Sequence, residues 1–122
     1  QLKAAVSCIK LNLAECQFKN PEAFSQQKVD VVMTSVENFL KDPKTHSITR
    51  GPDLIFMDPP YGEGWMAKVP GLLFKCPLVS KNTVMVAEHV VDDPILNIEP
   101  FGELVTQSHF GPKVLSIFKL KP

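Results

Sequence analysis

The stretch Asp53-Leu54-Ile55-Phe56-Met57-Asp58-Pro59-Pro60-Tyr61 joins an unbroken apolar run to a rigid corner. A short apolar run bounded by turn residues reads as a buried strand. Two adjacent prolines then fix both φ angles and remove two donors, so the strand ends abruptly at residue 58. Two more runs of the same kind, residues 28–34 (KVDVVMT) and 83–88 (TVMVAE), predict buried strands on either side. The intervals carry helical signals. Thr34 with Glu37 is a capping box that opens a short helix through Val36, Phe39 and Leu40, stopped by Asp42-Pro43. Residues 44–52 are polar and read as a loop; residues 65–75 read as a helix that Pro70-Gly71 must break or kink.

At the chain start, Leu2, Val6, Ile9, Leu13 and Cys16 recur at helical spacing. At the other end, residues 92–100 read as a loop, and residues 103–109 and 113–120 as strands joined at Gly111-Pro112 in a hairpin. Continuously apolar strands separated by helices point to a parallel sheet covered on both faces. The expected architecture is therefore a three-layer α/β sheet, mostly parallel, ending in an antiparallel hairpin.

The 122 residues suit a single domain, and 44% apolar with 21% charged residues is a globular composition. Thirteen basic residues balance thirteen acidic ones, so bulk charge points to no nucleic-acid or membrane partner. No apolar run approaches the ~20 residues of a membrane-spanning helix, and no basic-then-apolar leader is visible. Cys8, Cys16 and Cys76 form no CxxC pair and read as reduced, mostly packed thiols in a cytoplasmic setting. His46, His89 and His109 lack metal-ligand spacing, so no structural metal is expected.

The chemistry lies in the corner. Ligands of open α/β sheets bind at the carboxyl ends of strands, and Asp58-Pro59-Pro60-Tyr61 stands at such an end. The Pro59 carbonyl and the Asp58 carboxylate can accept hydrogen bonds from an exocyclic NH2. The Tyr61 ring can stack on the heterocycle that bears it, and Gly62 and Gly64 leave room for the approach. Accepting those bonds orients the nitrogen lone pair and offsets the positive charge that develops when it attacks an electrophile. A base within a duplex reaches such a pocket only when flipped out. The competing account is a proline-rich turn that merely ends a core strand.

The corner and its preceding strand resemble the catalytic motif of amino-group methyltransferases that use S-adenosylmethionine. The wider pattern resembles the RsmD-type branch. It is carried by Asn12-Leu13, Val31-Val32 with Phe39-Leu40, Met85-Val86-Ala87-Glu88-His89, and the final Phe110-Gly111-Pro112-Lys113-Val114-Leu115-Ser116-Ile117-Phe118. Such enzymes methylate the exocyclic N2 of a guanine in bacterial small-subunit ribosomal RNA. The resemblance implies a Rossmann-like class I methyltransferase fold with sheet order 3-2-1-4-5-7-6. It implies Asp58, Pro59, Pro60 and Tyr61 as the catalytic residues and Ser35 and Asp58 on the cofactor side. Tyr61, Gly62 and Trp65 would lie on the substrate side. Ser35 reads equally as a helix cap. Trp65 reads first as core packing, and Glu88, at the end of the third strand, reads first as a solvated carboxylate and second as a group reaching the site. Lysines 41, 44, 68, 75 and 81 are candidate phosphate contacts.

The family's first two strands, its glycine-rich turn and its ribose-binding acid have no counterpart in residues 1–122. Gly62-Glu63-Gly64 follows the corner and opens no first strand. Residues 1–122 are therefore expected to be a single, incomplete methyltransferase domain, inactive alone. They would need an N-terminal segment to complete the sheet, and ribosomal RNA or the assembled small subunit as partner. The alternatives are an adenine-N6 methyltransferase of DNA or RNA, and an inactive methyltransferase-like binding module.

Overall fold

The computed structural model of the chain describes residues 2–26, 28–46, 48, 50–95, 98–99 and 101–121, with side chains at these positions except 2, 45 and 46. Its contacts form two units, Gln1–Ser35 and Val36–Pro122.

In the first unit, the helical spacing produces α1 (Leu2–Lys19), followed by the single turn α2 (Pro21–Phe24). Proline at the start of α2 costs no hydrogen bond, because the first amides of a helix have no intrahelical partner. On α1, Val6 and Leu13 are half-buried, but Ile9 is 52% exposed. Cys8 and Cys16 are exposed, so the expectation of packed thiols holds for Cys76 alone. Residues 28–34 form no strand, contrary to the sequence pattern, and Val29, Val32 and Met33 are exposed. A strand exists only against a ladder partner, and the other regular elements of this unit are both helices, which offer no edge.

The second unit contains α3 (Val36–Lys41), a 3-10 turn at Pro43–His46, β1 (Leu54–Met57) and α4 (Trp65–Lys75). It continues through β2 (Val84–Val90), β3 (Gly102–Phe110) and β4 (Lys113–Leu120). The four strands lie in the order β1-β2-β4-β3. This order matches strands 4-5-7-6 of the arrangement that the resemblance implies. Only β1 and β2 pair in parallel; β2–β4 and β3–β4 are antiparallel. The sheet is mixed rather than mostly parallel, because the hairpin brings its second strand, not its first, against β2. Gly111 adopts φ 60° in the two-residue turn between Phe110 and Lys113, a position that favours glycine.

One face of the sheet is built from alternate residues. Met85 and Ala87 of β2 join Phe118 and Leu120 of β4, and Val69 and Leu73 of α4 pack onto them. The helix forms because Met66, Val69, Pro70 and Leu73 recur at helical spacing and bury together. Of the expected break or kink at Pro70-Gly71, the break does not occur: the helix continues through Pro70. Proline here forgoes one bond in the second turn, and the ring is fully buried in exchange.

The opposite face of β1 is different. Leu54 and Phe56 are 60% and 62% exposed, so the expected cover on both faces is absent at this strand. β1 is an edge strand, and an apolar groove of about 360 Å³ runs beside it, lined by Phe39, Leu40, Ile48, Leu54 and Phe56 among others.

Gly51, just before β1, lies against the backbone of Leu78, and a Cβ there would overlap the Leu78 carbonyl oxygen. Gly51→Ala should destabilise this unit by about 1–3 kcal/mol, the range for forced overpacking. Urea denaturation checks it through a lowered midpoint at unchanged slope.

Candidate active site

The chain leaves β1 at Met57 and turns through Asp58, Pro59 and Pro60 at the carboxyl end of the strand. The corner faces outward: Asp58, Pro60 and Tyr61 are exposed and Pro59 is half-buried. The side chain of Asp58 makes no hydrogen bond or ion pair among the described residues, so its carboxylate is open to a ligand donor. Past the corner, Gly62 (φ 73°) and Gly64 (φ 74°) both adopt the left-handed conformation. The amide of Gly62 donates to Asp93 Oδ2 at 2.7 Å, which ties the corner to the loop after β2.

Tyr61 is anchored. Its hydroxyl donates to Glu88 Oε1 at 2.9 Å. Lys113 Nζ donates to the same oxygen at 2.7 Å and stands 5.9 Å from the centre of the tyrosine ring. The three residues come from a loop and two strands. Antiparallel pairing of Val90 with Lys113 and of Glu88 with Leu115 brings the lysine to the end of β2, where Glu88 waits. Beside them lies a hollow of about 260 Å³ lined by Glu88, Phe110, Lys113, Val114 and Leu115.

The hydrogen bonds set the charge states. Lys113 and then Tyr61 hold the Glu88 carboxyl below the usual carboxylate range. The bond to Glu88, followed by desolvation, pushes the Tyr61 phenol up. Glu88 and then Tyr61 push the Lys113 ammonium up. At neutral pH the cluster is therefore carboxylate, ammonium and neutral phenol.

Glu88 is thus a bonded member of the corner rather than a solvated strand end. Lys113 and Asp93 escaped the sequence reading, since nothing local marks a lysine 25 residues from its partner. Trp65 is half-buried against the core cluster, with its indole N–H donating to Glu63 at 3.3 Å. Lys68 pairs with Glu37 and lies 5.2 Å from the Trp65 ring. Lys41, Lys44, Lys75 and Lys81 are exposed. Ser35 directly precedes α3 and belongs to the other unit. His89 is buried on the opposite side of β2. Its Nδ1 donates to the Val90 carbonyl at 3.0 Å, and its Nε2 accepts from Ser116 at 2.8 Å. The described residues contain no group of three metal-ligating side chains and no helix long and apolar enough to cross a membrane.

A carboxyl held low contributes stability that is full above its unfolded value of about 4.3 and lost as pH falls through its folded value. Phenol and ammonium held high contribute stability that is full below about 10 and lost on the alkaline side. A carboxyl-carbon NMR titration should place the Glu88 midpoint below that of a free glutamate. Lys113→Met should move it upward.

No curated protein sequence matches the chain. Among solved structures, a candidate methyltransferase of Escherichia coli, yhhF, aligns over 85% of this chain and 55% of its own, with TM-score 0.64 and 16% identity. A candidate methylase of Haemophilus influenzae aligns over 98% of this chain and 68% of its own, with TM-score 0.73 and 21% identity. The chain thus spans about half the length of the first and two thirds of the second, and at these identities the likeness is one of fold. The family model described as conserved hypothetical protein 95 matches residues 1–119, nearly the whole sequence. The chain belongs to that family, in agreement with its RsmD-type resemblance.

Proposed function

We propose that the protein is part of an S-adenosylmethionine-dependent N-methyltransferase acting on the exocyclic amino group of a nucleic-acid base, namely guanine N2 of small-subunit ribosomal RNA. The observation that carries this reading is the outward corner at the end of β1. There the Asp58 carboxylate, with no hydrogen bond or ion pair among the described residues, stands three residues from an anchored aromatic ring.

The described residues of this unit fit the amine-holding part of such a site. Asp58 and the Pro59 carbonyl accept from the NH2 group and aim its lone pair, while Tyr61 stacks on the flipped base and Gly62 gives it room. S-adenosylmethionine, when bound, supplies the methyl group; Asp58 and Ser35 are assigned to its side by the family resemblance alone. An aromatic amine oriented in this way can lose its proton to water after attack. Trp65, given to the substrate side by the resemblance, packs half-buried against the core cluster.

Further strands are needed for a complete cofactor cleft. The exposed Leu54 and Phe56, with the groove at the free edge of β1, support their addition there by a segment carrying the rest of the family's sheet. The partner is ribosomal RNA or the assembled small subunit, and the setting is cytoplasmic.

Methyl transfer to small-subunit ribosomal RNA, to assembled small subunits and to duplex DNA tests the proposal, in a chain long enough to hold the cofactor. Transfer should be confined to the first two. Asp58→Ala and Tyr61→Ala should each lower kcat/KM by about 100-fold or more. Tyr61→Ala should leave cofactor affinity within about two-fold. Equal loss of cofactor binding and transfer in Tyr61→Ala would refute the division of roles.

A further inference from the structure

We propose that Glu88 and Lys113 are positioning residues that hold the ring of Tyr61 in one orientation, so that its face, and not its hydroxyl, meets the substrate. The inference rests on the reading of Tyr61 as a stacking wall for a base.

A wall is useful only if it does not turn. Tyr61 stands on a loop and is 41% exposed, where an unanchored ring would sample several rotamers. Its anchor instead comes from β2 and β4, whose relative position is fixed by seven paired residues from Val84 with Lys119 to Val90 with Lys113. One carboxylate oxygen, Glu88 Oε1, takes both the phenol and the ammonium, so the lysine fixes the glutamate that fixes the tyrosine. Groups held this way by supporting bonds on rigid strands keep the geometry that catalysis needs.

Two consequences follow for the ring. The Lys113 ammonium lies near one of its faces, which leaves the other for the base. The hydroxyl proton is committed to a carboxylate. A phenol pushed up by that carboxylate is a poor proton acceptor at neutral pH, so the hydroxyl has no part as a base.

Tyr61 is the single tyrosine of the chain, so tyrosinate absorbance reads it alone and needs no substrate. The wild-type phenol should titrate above free tyrosine, and Glu88→Ala should return it toward the ordinary value. In methyl transfer to small-subunit ribosomal RNA, Glu88→Ala should lower kcat/KM about tenfold with cofactor affinity unchanged, and Glu88→Gln, whose amide oxygen still accepts the phenol proton, should restore most of it. Tyr61→Phe keeps the ring and loses the anchor. It should match Glu88→Ala, and the double variant should be no worse than either, as coupled partners require.

An unchanged tyrosinate midpoint in Glu88→Ala, or additive losses in the double variant, would overturn the tether and leave the methylation reading standing. A normal tether in a wild-type protein that binds the cofactor yet methylates no RNA would overturn that reading, and the positioning role with it.

Discussion

The antiparallel register between β2 and β4 is the constraint on which the site depends. It sets Val90 opposite Lys113 and Met85 opposite Phe118. On one face of the sheet that pairing closes the core, with Ala87 beside Ser116 and Val69 and Leu73 of α4 packed above. On the other it delivers a lysine to a glutamate at the carboxyl end of β2. Because side chains alternate with period two, slipping one strand by a single residue would bury Lys113 and expose Phe118. Core and site are thus fixed by one set of hydrogen bonds.

The same ladder explains why the corner is rigid on both flanks. The diproline restricts the backbone at residues 59 and 60, but it does not fix where the following ring points. That is done by Glu88 from one side and by Asp93, which takes the Gly62 amide, from the other. A stiff loop is therefore bonded at two points to elements that follow it in the chain.

The free edge of β1 is the structural counterpart. Its four residues pair with β2 on one side, and on the other lie along an apolar groove. Edge strands with exposed apolar residues are uncommon because they invite pairing. Leu54 and Phe56 belong to the same apolar run that reads as a buried strand from sequence, yet both side chains are exposed.

Much of this was written into local sequence. The period of Met66, Val69 and Leu73 specifies a helix, and Gly111-Pro112 specifies a hairpin, because each depends on neighbours within a few residues. The motif Asp58-Pro59-Pro60-Tyr61 and its place after an apolar strand were legible for the same reason. Residues 28–34 show the limit: their β-branched pattern states a preference, but a strand is a relation between two segments, and the pattern names no partner. Pro70 shows it from the opposite side, since burial of the ring outweighed a local prohibition. The amino-acid order by itself determined the long helices, the strands from residue 53 onward and the chemical corner. Only the tertiary structure decided that the sheet is mixed, that Glu88 and Lys113 converge on Tyr61, and which face each strand presents. Register and pairing join residues far apart in the chain, and no local propensity carries that information.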